Sequence, residues 1–588
     1  MGTWDRTARL GRRDYLLLTV YCLVLFGLAM VSGRGLSIHE SVLPQSAREM
    51  YADGDWVVPK RGGAPWMESP PLPQWATVAV ASLFGRCDLV AIVRLGPTLV
   101  ATTVVLMVAW MATLFFGRGL GLLSGFVMAT TCQFLRYAWL AEDEIYLCGL
   151  VTAAVALFVK LEFADPDPAA GVREPCGFFG GRRPAVLALF IALGMTNLAK
   201  GLIFGTAMAV IPMSAYLLWN ADLGRIRRYL WFWGWLAFAV VMLAWPVAAY
   251  LRYPDVVDVW QFDLGGRLDG SYQASAEPWW YYPVNLLWIL APWTLVIPFG
   301  LWATRDAAVR TRYSAERFLW CWAIFVPAVF SLAQGKHHHY LLHAIAPWSI
   351  LAAVGLYKVR EAMLAWPKSM HNPFWSLGTT ALPILVAIWL LRDRIPGGSN
   401  VYLPVMVACP FLIVLLSWAI MHLSATRAAT ALFMTMALAY SFGHVVAAKY
   451  VDTHRIDTQF LTDVRAQIPA DEQILVDLNV EALRGFMLLF YLDDNAVPLH
   501  NLSFALDDRI ENSSVFVLTR ANRRGTLDEI GTTREVMQSP QTGRETSAAD
   551  RLTLFRLTYH QQSRGVSAEK VRISPMQAMY RDEGPVLR

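Results

Sequence analysis

Long apolar segments separated by short polar connections occupy most of the chain up to about residue 448. A helix needs about 20 consecutive, mostly apolar residues to cross a bilayer. Segments of about this length lie near 15–33, 91–114, 118–136, 145–161, 184–199, 201–218, 229–252, 282–303, 317–333, 341–357, 374–391, 401–422 and 428–448. The pattern predicts a polytopic α-helical membrane protein with about thirteen transmembrane helices.

The first apolar segment is followed by a long, polar, proline-rich stretch at 34–90. Connections of this length in a compact protein are usually functional. Within it, Leu72-Pro73-Gln74-Trp75 begins a moderately apolar helix that runs to about residue 87. We place this helix in the membrane interface, and we therefore expect 34–90 to be an outer loop that carries interfacial helices.

The pattern changes after residue 449, where shorter apolar runs alternate with amphipathic segments. Buried strands are predicted at 473–478 and 514–518, with a late strand at 551–557. Helices are predicted at 458–468 and 482–492. The alternation indicates a small soluble α/β domain at 450–588, with a loose tail of about 25 residues. The domain prediction is thus a transmembrane domain at 1–449 and an α/β domain at 450–588.

Composition agrees with a membrane protein, because 56% of the 588 residues are hydrophobic and 24 are tryptophan. The seven cysteines include no CxxC pair, so we expect neither a disulfide framework nor a thiolate metal site. The first apolar segment lacks a small-residue cleavage signature and is interpreted as a retained helix. The net charge of +5 gives no indication of nucleic-acid binding.

The positions of Lys and Arg predict the orientation. With thirteen spans, the basic connections all fall on one face, which the positive-inside rule makes cytoplasmic. The loop at 34–90, the Lys200 hairpin and everything after residue 449 then lie on the opposite, outer face. We therefore expect both the candidate site and the C-terminal domain outside the cytoplasm.

Acidic residues on the predicted outer face are the first candidates for chemistry, because charges close to the bilayer are costly unless they face a cavity. His39 and Glu40 follow the first span, and Glu142, Asp143 and Glu144 follow the third. Such carboxylates can act as general bases or hold a divalent cation. Two structural alternatives remain open: solvated interfacial residues for the first pair, and a solvated helix N-terminus for the acidic triplet.

Cationic residues on the same face are candidates for binding an anionic headgroup. Lys200 lies between two spans with almost no loop, where it can meet a phosphate or extend to the interface. Gly335-Lys336-His337-His338-His339-Tyr340 forms a denser cluster. Consecutive histidines rarely converge on one zinc ion, so we favour a hydrogen-bonding rim for an anion. Arg267 lies between a glycine and Leu268, close to Asp269.

Several motifs resemble those of the lipid A aminoarabinose transferases and the related bacterial protein O-mannosyltransferase-like enzymes. They are Ala47-Arg48-Glu49-Met50, Gly54-Asp55-Trp56-Val57-Val58-Pro59, Glu68-Ser69-Pro70-Pro71, Val93-Arg94-Leu95-Gly96-Pro97, Leu198-Ala199-Lys200-Gly201 and Gly335-Lys336 with Tyr340-Leu341-Leu342. Their order and spacing persist over about residues 15–360. The resemblance implies a GT-C glycosyltransferase that moves a sugar from a polyprenyl-phosphate donor to a lipid or protein acceptor.

The resemblance also implies roles for single residues. Glu40 matches the second acid of an Asp-Glu pair, and Glu144 or Asp143 matches the family's second essential carboxylate. Tyr340 matches a tyrosine that contacts the donor phosphate, and Arg267 matches a phosphate-binding arginine. The donor phosphate is thus expected to bind to the following residues: Lys200, Arg267, Lys336 and Tyr340.

The chain departs from the family pattern at several positions. His39 stands where the catalytic Asp is expected, and Ser69 replaces a phosphate-contacting lysine. Val42 and Leu43 replace an Arg-Tyr pair. Glu68 matches a glutamate that contacts a divalent cation, but Leu264 occupies the position where the histidine partner of that glutamate is expected.

The function predicted from the sequence is inverting glycosyl transfer, with His39 or Glu40 and Asp143 or Glu144 acting on the acceptor. The main alternative is a non-catalytic membrane protein that binds a sugar-lipid or an envelope glycoconjugate, as in a degenerate paralogue. A transporter ranks third, because no paired broken-helix repeat supports it.

Overall fold

The protein is described by a computed structural model in two compact units. The structure describes 8–164, 183–201, 203–221, 223–269, 276–365, 372–374, 376, 378, 381–390, 392, 399–454, 456–469, 472–480, 484–492, 496–499, 514–540 and 547–559. The first unit comprises 1–32, 97–247 and 260–447, and the second comprises 33–96, 248–259 and 448–588. The predicted loose tail lies outside the described residues.

Helices make up the first half of the chain. They are α1 (Arg12–Met30), α2 (Val42–Asp53), α3 (Leu72–Phe84), α4 (Val90–Phe116), α5 (Arg118–Thr130), α6 (Cys132–Tyr137), α7 (Glu144–Val159), α8 (Arg183–Thr196), α9 (Phe204–Asn220), α10 (Leu223–Arg228) and α11 (Phe232–Arg252). A π-helical turn, Lys160–Ala164, continues α7. The helix predicted from Leu72 is confirmed as α3, and its placement in the membrane interface stays a prediction.

The helical pattern continues through the second half. The helices are α12 (Val256–Asp269), α13 (Tyr281–Ile289), α14 (Ile297–Arg310), α15 (Ala315–Trp320), α16 (Val326–Phe330), α17 (Ile345–Ala365), α18 (Leu382–Leu390), α19 (Ser399–His422), α20 (Ala425–His454), α21 (Ile456–Gln467), α22 (Arg484–Leu492) and α23 (Arg524–Asp528). A π-helical segment, Cys321–Phe325, joins α15 to α16, and a 3-10 segment, His338–Ala344, precedes α17.

Seven helical segments within the described residues are long and apolar enough to cross a membrane. They are Arg12–Met30, Val90–Phe116, Glu144–Ala164, Phe232–Arg252, His338–Ala365, Val405–His422 and Ala425–Val445. The polytopic helical fold is therefore confirmed, whereas the count of thirteen is not. The remaining predicted spans coincide with shorter helices, such as α8 and α9, or with helices interrupted by π or 3-10 turns.

Glycines permit a very close contact between α14 and α17 in the first unit. A Cβ at Gly300 of α14 would lie 1.9 Å from the carbonyl oxygen of Leu351, and one at Gly355 of α17 would lie 2.0 Å from that of Val296. The two backbones thus touch directly, as is typical of small residues between membrane helices.

The second unit combines the first outer loop with the C-terminal sheet. A short antiparallel pair, β1 (Lys60–Arg61) and β2 (Ala64–Pro65), lies in the loop. The five-stranded sheet has the order β4-β3-β5-β7-β6. Its strands are β3 (Ile474–Asp477), β4 (Ala496–Leu499), β5 (Ser514–Arg520), β6 (Gly531–Gln538) and β7 (Leu552–Tyr559). Strand β3 is parallel to β4 and β5, and β7 pairs antiparallel with β5 and β6.

Burial explains which strands were predicted. The predicted strands correspond to β3, β5 and β7, which are almost wholly buried and apolar. Strands β4 and β6 were missed. Each lies at an edge of the sheet: β4 contains Pro498, and β6 is mostly polar and partly exposed. Edge strands lack the continuous apolar run that reveals a central strand. The division into domains at residue 449 stays a prediction.

Candidate active site

The N-terminal end of α7 carries a pair of acidic side chains. Asp143 is the N-cap residue, and its carbonyl oxygen accepts the first helical hydrogen bonds, from the backbone N–H groups of Tyr146 and Leu147. Glu144 opens the first turn and is buried. Acidic groups are favoured at this position by the helix dipole. The predicted acidic candidates are therefore fixed by helix geometry at one end of an apolar span.

Lys200 joins both carboxylates. Its Nζ lies 3.7 Å from Asp143 Oδ1 and donates a close hydrogen bond to Glu144 Oε1. The turn that carries Lys200 is held by Asn197, whose side-chain amide donates to Leu193 O and Thr206 Oγ1 and accepts from the Ile203 N–H. Sequence reasoning selected Lys200 but missed Asn197, a buried polar residue whose place in a tight hairpin was the available signal.

The two carboxylates differ in exposure and charge state. The side chain of Glu144 is 7% exposed and that of Asp143 is 28% exposed. Burial and the neighbouring Glu144 carboxylate raise the pKa of Asp143 to about 7, and the Lys200 ammonium opposes this shift. A carboxylate with a pKa near the working pH is suited to accept and release a proton. Asp143 is thus the more exposed of the two candidate bases, and Glu144 makes the shorter contact with Lys200.

Aromatic and imidazole rings stack beside the acidic pair. His339 Nε2 lies 3.4 Å from Glu144 Oε1. The rings of His339 and His337 stack at 5.2 Å, and the Tyr340 ring meets His339 edge-on at 4.8 Å. Tyr340 is buried and also contacts the Phe204 ring. The structure therefore brings Asp143, Glu144, Lys200 and Tyr340 into one cluster and adds His339 to it.

The first unit also contains the two other predicted phosphate ligands, Lys336 and Arg267. Lys336 is buried, and its Nζ donates to the Glu277 carbonyl oxygen at 2.7 Å. Burial lowers the pKa of Lys336, an effect that the Glu277 carboxylate opposes. Arg267 lies in α12, but its side chain is outside the described residues. Its role as a phosphate ligand stays a prediction.

Glu40, in the second unit, is fully buried in an ion pair. Arg94 Nε donates to Glu40 Oε1 at 2.6 Å, and both side chains are 0% exposed. The other Arg94 nitrogens donate to the carbonyl oxygens of Arg34 and Gly35. This geometry favours a structural role for Glu40, which fixes the start of the first outer loop to α4, over the predicted role as a base.

A reciprocal hydrogen-bond pair orients the neighbouring His39. The Ser37 backbone N–H donates to Glu40 Oε2, and the Glu40 backbone N–H donates to Ser37 Oγ, each at 3.2 Å. This is the Ser-x-x-Glu pattern of a capping box. It turns Glu40 inward and leaves His39 exposed. The Ser37–Glu40 spacing was the sequence signal that could have distinguished the inward-facing Glu40 from the exposed His39. The sequence analysis did not identify Arg94 as the partner of Glu40.

The residues available to a metal ion do not match the divalent site implied by the resemblance. Glu68 is half-buried in the first outer loop, and the leucine at 264 cannot supply the missing histidine ligand. Within the described residues, no group of three or more His, Cys, Asp or Glu side chains could hold a metal ion. The stacked rings of His337 and His339 are nearly parallel and do not form a three-histidine site. We derive no step through a metal.

The fold defines a class: the chain is a polytopic helical membrane protein with a small C-terminal sheet. Residues 48–260 match the family model of dolichyl-phosphate-mannose-protein mannosyltransferases. The predicted resemblance to the aminoarabinose transferases is likewise confirmed by relatives and by fold.

Two relatives are undecaprenyl phosphate-α-4-amino-4-deoxy-L-arabinose arabinosyl transferases. The protein from Pseudomonas fluorescens is 28% identical over 354 residues, which are 58% of this chain and 59% of the relative. The protein from Erwinia tasmaniensis is 26% identical over 428 residues, covering 69% and 72%. The match to the Pseudomonas relative thus spans less than two thirds of its length.

The solved structures extend the similarity in fold. The crystal structure of ArnT from Cupriavidus metallidurans bound to undecaprenyl phosphate superimposes with a TM-score of 0.72. The alignment covers 94% of this chain and 99% of that protein at 18% sequence identity. At this identity, the likeness shows the fold, which includes the C-terminal region.

Proposed function

We propose that the protein is an inverting glycosyltransferase that moves a sugar from a polyprenyl-phosphate donor to a lipid or protein acceptor. The observation that carries this proposal is the acidic cluster at the start of α7, where Asp143 and Glu144 are adjacent and both contact the Lys200 ammonium. The arabinosyl transferases named above and ArnT with its undecaprenyl phosphate support the donor class. We place the reaction on the periplasmic face of a bacterial inner membrane.

The reaction requires a base and a stabilised leaving group. The acceptor oxygen attacks the anomeric carbon, and its proton passes to the Asp143 carboxylate. The bond between the anomeric carbon and the phosphate oxygen breaks, and the polyprenyl phosphate leaves with the electron pair. Attack from the face opposite the phosphate inverts the anomeric configuration. Hydrogen-bond donors at the leaving phosphate stabilise the charge that develops there.

The contacts of the cationic candidates suggest a different role for Lys200 than for the others. Lys200 is held by the carboxylates of Asp143 and Glu144, so we assign it to setting the charge of Asp143 rather than to binding the donor. We assign the phosphate to Tyr340, Lys336 and Arg267. Their side chains supply a hydroxyl, an ammonium and a guanidinium donor. His39 retains its proposed role at the acceptor on the basis of the resemblance.

The proposal is tested by the envelope glycoconjugates of a deletion strain. Mass spectrometry of lipid A and of membrane glycoproteins is expected to show the loss of one sugar from one acceptor class. Return of that sugar with the wild-type gene, but not with Asp143→Asn, would assign the transfer to this protein. Polyprenyl-phosphate binding by the purified protein without turnover of any sugar donor would favour the non-catalytic alternative.

The orientation gives a separate prediction. A reporter fused after residue 460 is expected to be active only outside the cytoplasm, because the basic connections place the opposite face inside. A fusion after Arg228, in a predicted cytoplasmic connection, serves as the control and should give the opposite signal. A cytoplasmic signal at 460 would reverse the face assigned to the α/β domain.

The proposed phosphate contacts give a further prediction, which concerns binding of the donor. Tyr340→Phe and Arg267→Ala are each expected to weaken binding of undecaprenyl phosphate, and loss of the charged contact should cost about 1.5–3 kcal/mol. Affinities can be measured on the protein in detergent. Tyr357→Phe, a change at an exposed tyrosine of α17, is the control. Wild-type affinity in both test variants would show that the phosphate is held by other residues.

His39 can be tested through the residue that the family places there. His39→Ala is expected to lower transfer by at least about 10²-fold, because we assign the imidazole to orienting the acceptor hydroxyl whose proton Asp143 accepts. His39→Asp should retain part of the activity, because a carboxylate can perform the same task. His422→Ala, at an exposed histidine of α19, is the control for general effects. Wild-type transfer rates in His39→Ala would exclude His39 from the mechanism.

A further inference from the structure

A cavity of about 430 Å³ opens in the first unit at the end of α7 that is remote from Glu144. Its walls combine the apolar side chains of Leu114, Phe115 and Phe163 with a polar loop that contains Thr311, Arg312 and Tyr313. The apolar part comes from the end of α4 and the π turn after α7, and the polar part comes from the α14–α15 connection.

The length of α7 places this cavity at a membrane surface. Glu144 begins the span Glu144–Ala164, and Phe163 lies near its other end. At a rise of about 1.5 Å per residue, the two positions are about 28 Å apart along the helix. This is close to the thickness of a bilayer's hydrocarbon core, about 30 Å. The cavity therefore lies at the headgroup level of the leaflet opposite the acidic cluster.

The polar loop is held in a conformation that an ordinary residue rarely adopts. Tyr313 has φ of 57°, in the left-handed region. The buried side chain of Asn220 stabilises it, because its Oδ1 accepts from the Tyr313 N–H at 3.0 Å and from Arg317 Nη1 at 2.6 Å. The Asn220 carbonyl oxygen accepts from Arg312. Strained backbone that several contacts fix in this way is typical of preorganised binding sites.

Arginines surround the loop. Arg225 stacks over the Tyr313 ring at 3.9 Å from its centre, and Arg312 lines the cavity. Arg225 and Arg228 also bind the Glu162 carboxylate, which is fully buried. Among the described residues around this connection, four arginines (Arg225, Arg228, Arg312 and Arg317) accompany two carboxylates, those of Glu162 and Glu316. The local field thus favours an anion.

We propose that this cavity binds the headgroup phosphate of an anionic phospholipid, with Arg312 and the Thr311 hydroxyl at the phosphate. The apolar walls formed by Leu114, Phe115 and Phe163 would take the first segments of an acyl chain. Basic pockets between membrane helices are a recurrent form of lipid headgroup site. The site is separate from the proposed transfer reaction, so this proposal does not depend on the proposed function.

The test uses the full-length protein, delipidated in detergent and titrated with phosphatidylglycerol, phosphatidylethanolamine or inorganic phosphate. Native mass spectrometry counts bound lipid, and thermal unfolding reports the stabilisation. We expect tighter binding of phosphatidylglycerol than of phosphatidylethanolamine, and weaker binding at high salt, because screening reduces charge attraction. Arg312→Gln should weaken phosphatidylglycerol binding about tenfold or more, since it removes a charge-assisted contact.

Arg305→Gln is the matched control, because Arg305 lies on α14, the helix that leads into the loop of Arg312, but is 56% exposed and is not one of the residues that line the cavity. It should leave phosphatidylglycerol affinity unchanged. Equal affinities for the two lipids, or wild-type affinity in Arg312→Gln, would overturn the proposal. An equal stabilisation by inorganic phosphate alone would assign the cavity to a free anion instead. The salt and headgroup comparisons need only the wild type, so they decide the question even if Arg312→Gln fails to fold.

Discussion

Replacing Asp143 with asparagine is expected to lower the kcat of sugar transfer by about 10²–10⁴-fold, the usual contribution of a general base. Asparagine has nearly the same shape but cannot accept a proton from the acceptor. The KM for the donor should change little, because the proposed phosphate contacts are made by other residues. Single-turnover transfer of a labelled sugar by the purified protein in lipid measures the effect.

The charges around Asp143 provide a second test of its proposed role as the general base. Its pKa is raised to about 7 by burial and by the Glu144 carboxylate, so transfer should fall about tenfold per pH unit below pH 7 as the base becomes protonated. Glu144→Gln removes a negative neighbour and should move this acid limb to lower pH. Lys200→Met removes a positive neighbour and should move the limb to higher pH.

The opposite directions of these two shifts are the diagnostic result. A purely structural role for the cluster would lower activity in both variants without moving the acid limb. Identical pH profiles in wild type, Glu144→Gln and Lys200→Met would therefore remove Asp143 from the role of base. Substantial activity of Asp143→Asn at neutral pH would do the same.

The sequence identified the residues of this site but not the contacts between them. Acidic residues at the edge of an apolar span are conspicuous, and Lys200 is equally conspicuous between two spans. Their contact with each other depends on the packing of α7 beside α8 and α9, which no local pattern contains. The sequence therefore placed Lys200 with the donor phosphate, whereas the structure places it between two carboxylates.

The first outer loop shows the same limit. His39 and Glu40 are adjacent and were assigned similar roles, yet one is exposed and the other fully buried. What separates them is a guanidinium 54 positions later in the chain. Helices and central strands were predictable because their apolar periodicity is local. Spans broken by π and 3-10 turns, and polar edge strands, were not, because tertiary contacts decide where they begin and end.

The buried pair of Glu40 and Arg94 gives the largest expected effect on stability. Arg94→Leu leaves the Glu40 carboxylate buried without its main partner, which typically costs about 3–5 kcal/mol. The Arg94 hydrogen bonds to the carbonyl oxygens of Arg34 and Gly35 are lost as well. The expected result is a lower apparent Tm in detergent and faster proteolysis within 34–40.

An exposed ion pair in the same unit provides the control. Arg86 binds Asp88 through two hydrogen bonds of 2.8 and 2.6 Å, but the two side chains are 51% and 38% exposed. Arg86→Leu should therefore cost only about 0–1 kcal/mol. The double variant Glu40→Gln with Arg94→Leu should recover part of the stability lost in Arg94→Leu, because it no longer buries an unpaired charge. Equal losses in Arg94→Leu and Arg86→Leu, with no recovery in the double variant, would show that Glu40 does not depend on Arg94.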